Sequence, residues 1–297
     1  MSNKLEILSL FGFERDPFSN YVIETADMAR VKKLVLMACA ARAQISIVGD
    51  RGIGKTRAVN AVLREMKTAK IVRILSPDKS RITASDIQEA LLIELAPAEK
   101  IRQDREIRVR QLRKILGQAS QKGPVIVVLE EAHRLHGNTL RSLKNLRELD
   151  WMGETHLFTV ILIGQSDSTQ NIGLSEVRLR TEIVPMHGLT QAEITAYIGA
   201  TVGKVFSESA IKAASSIQDA RNYLDLHEIL VRAMSNALAA GREDVLPEDL
   251  AEFLAEATRR RSTVIAAADQ GKASNALRSV LNRKRTENGQ QGTAKTA

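Results

Sequence analysis

Apolar residues fall along this chain in two rhythms. Five short, nearly continuous runs, at 44–48, 71–75, 125–129, 158–163 and 182–186, are rich in Val, Ile and Leu. Runs of that length predict strands buried on both faces, as in a parallel sheet. Between them the apolar positions recur every three to four residues, which predicts helices over 27–41, 55–67, 85–95, 100–116 and 138–150. Ser85 with Gln88 reads as a capping box opening the third of these. Pro97 separates it from the next, and the turn at Gly123 and Pro124 follows. Beyond Thr190 everything is helical, with helices predicted over 191–203, 207–217, 223–240 and 247–261.

Strands alternating with helices define an α/β chain, a parallel αβα sandwich followed by a small helical lid domain. The expected division is an N-terminal segment at 1–26, a nucleotide-binding αβα domain at 27–188, the lid at 189–260 and a basic, partly disordered tail at 261–297. The first segment holds Leu10, Phe11, Phe13, Pro17 and Phe18, which either cap a pocket or simply pack.

With 297 residues, 44% of them hydrophobic, the chain can fill a large core and a smaller one. Its longest apolar runs fall far short of the roughly 20 residues that cross a bilayer, so no membrane partner is expected. The first residues have no apolar stretch followed by a small-residue cleavage site, which predicts a cytoplasmic protein. The single cysteine, Cys39, lies in an apolar stretch and reads as buried and unreactive. Net charge changes this picture: +8 overall, with a pI near 9.7, favours an anionic partner such as nucleic acid. The segment after Thr258 alone carries nine basic against two acidic residues.

The chemistry is concentrated at two strand ends. Gly49, Asp50, Arg51, Gly52, Ile53, Gly54, Lys55 and Thr56 satisfy G-x-x-x-x-G-K-T in full, after a β run and at the start of a helix. Backbone N–H groups of such a loop wrap the phosphates of ATP, Lys55 reaches the β- and γ-phosphates, and the Thr56 hydroxyl ligates Mg²⁺. Arg57, next in sequence, belongs with the nucleotide-binding set. The run at 125–129 then delivers Glu130 and Glu131 at its C-terminal end, a Walker B element. Glu130 orients the hydrated Mg²⁺ and Glu131 polarises the attacking water. The first of these positions is usually Asp, and Glu130 is a methylene longer, so slow hydrolysis or a differently held ion is expected.

Gln165, ending the run at 158–163, is positioned to sense the γ-phosphate or hold water. Arg178 and Arg180 precede the last strand, where an arginine either reaches a neighbouring subunit's phosphate or makes a surface ion pair. Arg221, at the start of a lid helix, either contacts the nucleotide or serves as a cap or salt bridge. His133 and His136 lack the further converging ligands that zinc requires and read as ordinary polar side chains.

With these pieces in order the sequence resembles the AAA+ P-loop ATPases. Within them it is similar to the branch that holds the transposon protein TnsC, the B transposition protein of Mu-like phages and the ExeA secretion ATPases. The likeness rests on Phe11-Gly12-Phe13 with Asp16-Pro17-Phe18, on Glu130-Glu131-Ala132-His133-Arg134-Leu135, on Leu162-Ile163-Gly164-Gln165 and on the lid segment 224–241. It spans roughly residues 8–258. ExeA-type proteins carry a membrane segment and a cell-wall-binding part that this sequence lacks, and Mu B proteins begin with an extra domain for which there is no room before Phe11. The resemblance implies an ATPase that forms a homo-oligomer, a ring or helical filament, on double-stranded DNA and activates a DDE-family transposase. It also implies DNA-backbone contacts at Lys100, Arg102 and Arg105, a basic run that by itself equally reads as a solvated helix face. A helicase or initiator loader, and a nucleotide switch without turnover, are the alternatives.

Overall fold

The computed structural model describes residues 3–19, 23–74, 82–170, 174–256 and Arg259. In chain order the elements are α1 (Lys4–Leu10), α2 (Ala26–Ala40), β1 (Gln44–Val48), α3 (Lys55–Glu65), β2 (Lys70–Ile74), α4 (Ala84–Leu95), α5 (Arg105–Lys122) and β3 (Val125–Leu129). They continue with α6 (Gly137–Arg147), β4 (Thr159–Gly164), α7 (Ser175–Arg178), β5 (Thr181–Pro185), α8 (Gln191–Thr201), α9 (Glu208–Ser215) and α10 (Tyr223–Ala239). Short 3₁₀ turns lie at Ala132–Arg134, Asp219–Arg221 and Pro247–Leu250.

All strand pairs are parallel, in the order β2-β3-β4-β1-β5. Because side chains alternate across a strand, β3 feeds two cores at once. Val125, Val127 and Leu129 join Leu91, Leu112, Leu116 and Leu140 on one face; Ile126 and Val128 join Val31, Val35, Val59 and Val62 on the other. Helices α4, α5 and α6 thus cover one side and α2 and α3 the other, the expected sandwich. That double burial is why β3 and β4 read as unbroken apolar runs.

Several boundaries differ from the sequence reading, each for a local reason. The capping box of α4 is Thr83 with Asp86, not Ser85 with Gln88: the Thr83 N–H donates to Asp86 Oδ2 at 2.8 Å, and the Asp86 N–H to Thr83 Oγ1 at 3.3 Å. Ser85 already sits in the first helical turn, whereas a cap needs the extended backbone of Thr83. Helix α5 starts at Arg105 rather than at residue 100, because the Asp104 carboxylate accepts from the N–H groups of Glu106 and Ile107, both at 3.0 Å. Helix α6 ends at Arg147, short of residue 150. Beyond it, Trp151 and Glu154 pair around a tight turn with Met152 and Gly153 at positive φ. Leu75, the expected end of the second strand, and the tail at 261–297 lie outside the described residues.

Packing divides the chain into two compact units rather than the four sequential parts expected. Of the described residues, the larger contains those within 16–201 and 219–228, the smaller those within 3–15 and 202–218 and from 229 on. Within the smaller, the N-terminal segment and lid pack together: the Lys204 ammonium lies 4.1 Å over the Phe13 ring. There Val205 and Ser207 hydrogen-bond across to Val245, and Arg242 clamps the buried Asp249 carboxylate with two bonds of 2.7 and 2.9 Å. Phe18, by contrast, belongs to the larger unit and stacks on His227 at 4.5 Å. Cys39 is buried as expected, and burial pushes its thiol up to about 11 against a lowering contact from Thr159.

Trp151 packs so closely on α5 that a methyl group added at Gly117 would stand 2.0 Å from the ring. Gly117→Ala gains about 1 kcal/mol of helix propensity, and overpacking costs about 1–3 kcal/mol. The variant should therefore be destabilised by up to about 2 kcal/mol, read from urea unfolding followed by the fluorescence of this single tryptophan.

Candidate nucleotide site

The site grows out of the C-terminal edge of the sheet. In register, Val48 lies beside Gly164 of β4 and Pro185 of β5, so the loop after β1 opens between the ends of two neighbouring strands. This is the switch point where open parallel sheets bind ligands. Gly54 caps α3 with a left-handed backbone, φ 95°, which only glycine adopts without cost. Gly52 is required for a different reason. A Cβ there would meet Asn222 Oδ1 at 2.3 Å, so the Asn222 side chain presses directly on the loop and donates to the Arg51 carbonyl at 2.5 Å. The Lys55 ammonium donates to the carbonyls of Gly49 and Asp50, each at 2.7 Å. Burial lowers its pKa, opposed by the carboxylates of Glu131 and Asp50.

Thr56 and Glu130 meet across the loop and strand β3, the hydroxyl donating to Glu130 Oε2 at 2.9 Å. The other Glu130 oxygen accepts from Arg73 of β2 at 3.3 Å, and Arg73 also binds Asn60 of α3 at 2.5 Å. The extra methylene of Glu130 thus spans from the loop to β2. A hydroxyl and a carboxylate side by side fit Mg²⁺, which takes one or two protein oxygens and completes its octahedron with phosphates and water. Among the described residues no group of three or more His, Cys, Asp or Glu side chains gathers, so the ion has no all-protein cage.

Glu131 follows at φ 51°, a left-handed conformation that costs a non-glycine residue about 1 kcal/mol, with its side chain 63% exposed. His133 Nε2 stands 3.7 Å from its carboxylate, while Nδ1 of the same ring accepts the Gln165 backbone N–H at 3.3 Å. The Gln165 side chain itself is exposed at the end of β4. His136 caps α6 through Nδ1.

Beside the loop lies a narrow crevice of about 10 Å³, lined by Met28, Ile53, Met186, Leu189, Arg57 and Tyr223 among others. Its lining is mostly apolar, and as it stands it has room for no more than a water. Burial pushes the Tyr223 phenol up to about 12, opposed by Arg57, so the ring is neutral. Asp27 secures the crevice: one oxygen accepts the N–H groups of His187 at 2.6 Å and Gly188 at 2.8 Å, and the other accepts from Arg30 at 2.6 Å. Nothing in the sequence marked Asp27 or Asn222. The only available signal for Asp27 was an acid in the first turn of a helix, which is common.

Other candidates stand apart. Arg178 and Arg180 precede β5, at the opposite edge of the sheet, and a five-residue strand places them roughly 17 Å from their own phosphate loop. Arg180 pairs with Glu148 at 2.8 Å; Arg178 pairs with nothing among the described residues, and Leu179 between them is 88% exposed. The Arg221 guanidinium likewise has no partner among the described residues, although its carbonyl accepts from Leu189 at 2.9 Å. Lys100 and Arg102 occupy the loop before α5 and Arg105 its first turn, all three exposed and unpaired among the described residues. Arg108, 12% exposed, clasps that loop by donating to the carbonyls of Arg102 and Gln103 and pairing with Glu89 at 3.0 Å.

A phosphate loop after β1, the fourth strand of a 2-3-4-1-5 parallel sheet, facing two carboxylates and a strand-end glutamine, defines the AAA+ P-loop NTPase fold. More particularly, residues 40–172 match the family model described as an AAA domain. No curated protein matches the chain in sequence. Among solved structures, Cdc6p from Pyrobaculum aerophilum superposes with a TM-score of 0.61 at 18% identity, covering 80% of this chain and 69% of that one. The Drosophila ORC bound to DNA gives 0.56 at 15% identity, covering 86% and 66%, and the Aeropyrum pernix ORC1 in complex with DNA gives 0.53 at 17%, covering 89% and 73%. The chain thus spans about two thirds of the length of these structures.

Gly52→Ala forces Asn222 off the loop. The expected outcome is a fall in ATP affinity of about tenfold or more, about 1.4 kcal/mol, with helical content unchanged, measured by fluorescent-nucleotide titration and circular dichroism.

Proposed function

We propose that this protein is an ATP-hydrolysing AAA+ protein that assembles on double-stranded DNA and regulates transposition by marking a target and activating a DDE-family transposase. The observation that carries the ATPase part is the convergence of Lys55, Thr56, Glu130 and Glu131 at one strand edge, with Thr56 and Glu130 2.9 Å apart. In this reading the loop amides and Lys55 hold the phosphates, Gly49 to Arg57 form the nucleotide cradle, and Glu131 takes the proton of the attacking water. Mg²⁺ held by Thr56 and Glu130 supplies charge neutralisation on the phosphates.

Two features support assembly. Arg178 and Arg180 are too far from their own loop to act in cis, and they flank the exposed Leu179. An arginine there serves a neighbouring copy's phosphate, as an arginine finger does. Arg178 is free to do so at once, whereas Arg180 must first leave Glu148, a surface pair worth at most about 1 kcal/mol. Arg221 approaches the nucleotide from the lid side. DNA binding rests on Lys100 and Arg102, on a loop that Arg108 and Gln111 hydrogen-bond, and on Arg105 in the first turn of α5. Two of the similar folds were solved with DNA, which favours an initiator-type protein as the second reading. The transposition reading rests on the sequence resemblance alone, and the cytoplasm is its compartment; no described helix is long and apolar enough to cross a membrane.

ATP should promote assembly on non-specific duplex DNA, and Lys55→Ala should abolish it in sedimentation and electron microscopy; assembly indifferent to nucleotide refutes the proposal. Co-purification with a DDE transposase, against a replicative helicase, separates the two readings. Replacing Arg102 or Arg105 by Ala should weaken binding equally for all sequences and flatten the dependence of log K on log salt by about 0.9 per contact removed.

A further inference from the structure

His133 lines the site, and the function proposed above gives it no task. We infer that His133 is a positioning residue for Glu131, its imidazole held by the backbone of Gln165 on one side and fixing the Glu131 carboxylate on the other. The ring is well placed for this. Its side chain is 20% exposed against 63% for Glu131, so the more buried group is the natural anchor for the freer one. The 3₁₀ turn Ala132–Arg134 that carries it packs against the end of β4 closely enough that a Cβ at Gly164 would meet the His133 backbone nitrogen at 3.1 Å. The contact thus joins residues 32 apart in sequence, from two neighbouring strand ends.

The hydrogen-bond directions fix the protonation pattern. The Gln165 N–H is a donor, so Nδ1 at 3.3 Å must accept. A neutral ring that accepts at Nδ1 carries its proton on Nε2, and Nε2–H faces the Glu131 carboxylate at 3.7 Å. That separation is longer than a hydrogen bond at rest, and such contacts tighten when substrate binds. Glu131 also interacts with the Lys55 ammonium. Without the imidazole the exposed carboxylate is free to fold onto Lys55, away from the position a water must occupy. The same ring links Glu131 to Gln165, so a shift of either strand end moves both groups together. Ring and carboxylate exchange no proton in this role; His133 directs Glu131 and touches no substrate atom.

The inference rests on the hydrolytic reading, and its test separates the two. In the full chain, His133→Ala should lower kcat about tenfold with KM for ATP unchanged. His133→Gln, whose amide N–H occupies the place of Nε2–H, should recover most of the rate. His133→Asn, which supplies only the acceptor of Nδ1, should not. Equal rates in all three, or a loss shared between kcat and KM, overturns the role. A second readout needs no turnover: long-range ¹H–¹⁵N spectra of the five ring-labelled histidines, with His133 assigned from H133N, should give the Nε2–H tautomer and a resonance that moves in Glu131→Ala. An Nδ1–H tautomer, or no movement, overturns the proposal. A wild-type protein that binds ATP without turning it over ends the hydrolytic reading, while the spectra still decide the ring's part.

Discussion

Everything at this site hangs on the register of β1 between β4 and β5. Pairing Val48 with Gly164 on one side and Pro185 on the other brings three strand ends to one level. Parallel strands make this possible, because their C-terminal ends all point the same way and cannot be joined by short turns. Gly49, Gln165 and the segment from Met186 to Leu189 therefore share one edge although they are far apart in sequence. A slip of one residue in β1 would turn its side chains to the opposite faces of the sheet, carrying Ile45 and Ile47 out of the core that they share with α2 and α3.

On that edge the polar groups form chains of contacts rather than isolated pairs. Thr56, Glu130, Arg73 and Asn60 make one series, tying the loop to β3, β2 and α3. Glu131, His133 and Gln165 make another between β3 and β4. Asp27 makes a third, anchoring α2 to the segment after β5. The glutamate at position 130 takes on a physical meaning in this setting: its two carboxylate oxygens are shared between the Thr56 hydroxyl and the Arg73 guanidinium. The departure from the usual Walker B carboxylate is thus matched by a partner on β2 that the motif itself does not specify.

The chain's local chemistry was legible where one segment carries the whole signal. The five strands fell within a residue of their apolar runs, because a strand buried on both faces admits almost nothing else. The phosphate loop was equally plain, since its glycines, lysine and threonine are contiguous and sit between a strand and a helix. Helix starts were less legible: Thr83 and Asp104 cap helices that the pattern opened elsewhere, because capping depends on the backbone angles of one residue. The pairing of the N-terminal segment with the lid also escaped, as a cation over the Phe13 ring has no counterpart in spacing.

The sequence by itself determined the α/β alternation, the phosphate loop and the carboxylates that follow β3, because each is written in neighbouring residues whose period or spacing has one physical reading. Tertiary structure decided who meets whom: that Asn222 presses on Gly52, that Asp27 binds the backbone at His187 and Gly188, and that His133 stands between Glu131 and Gln165. The reason is strand order. With β1 inserted between β4 and β5, contacts form across gaps of tens to well over a hundred residues, and no local pattern in the chain encodes which distant side chain arrives.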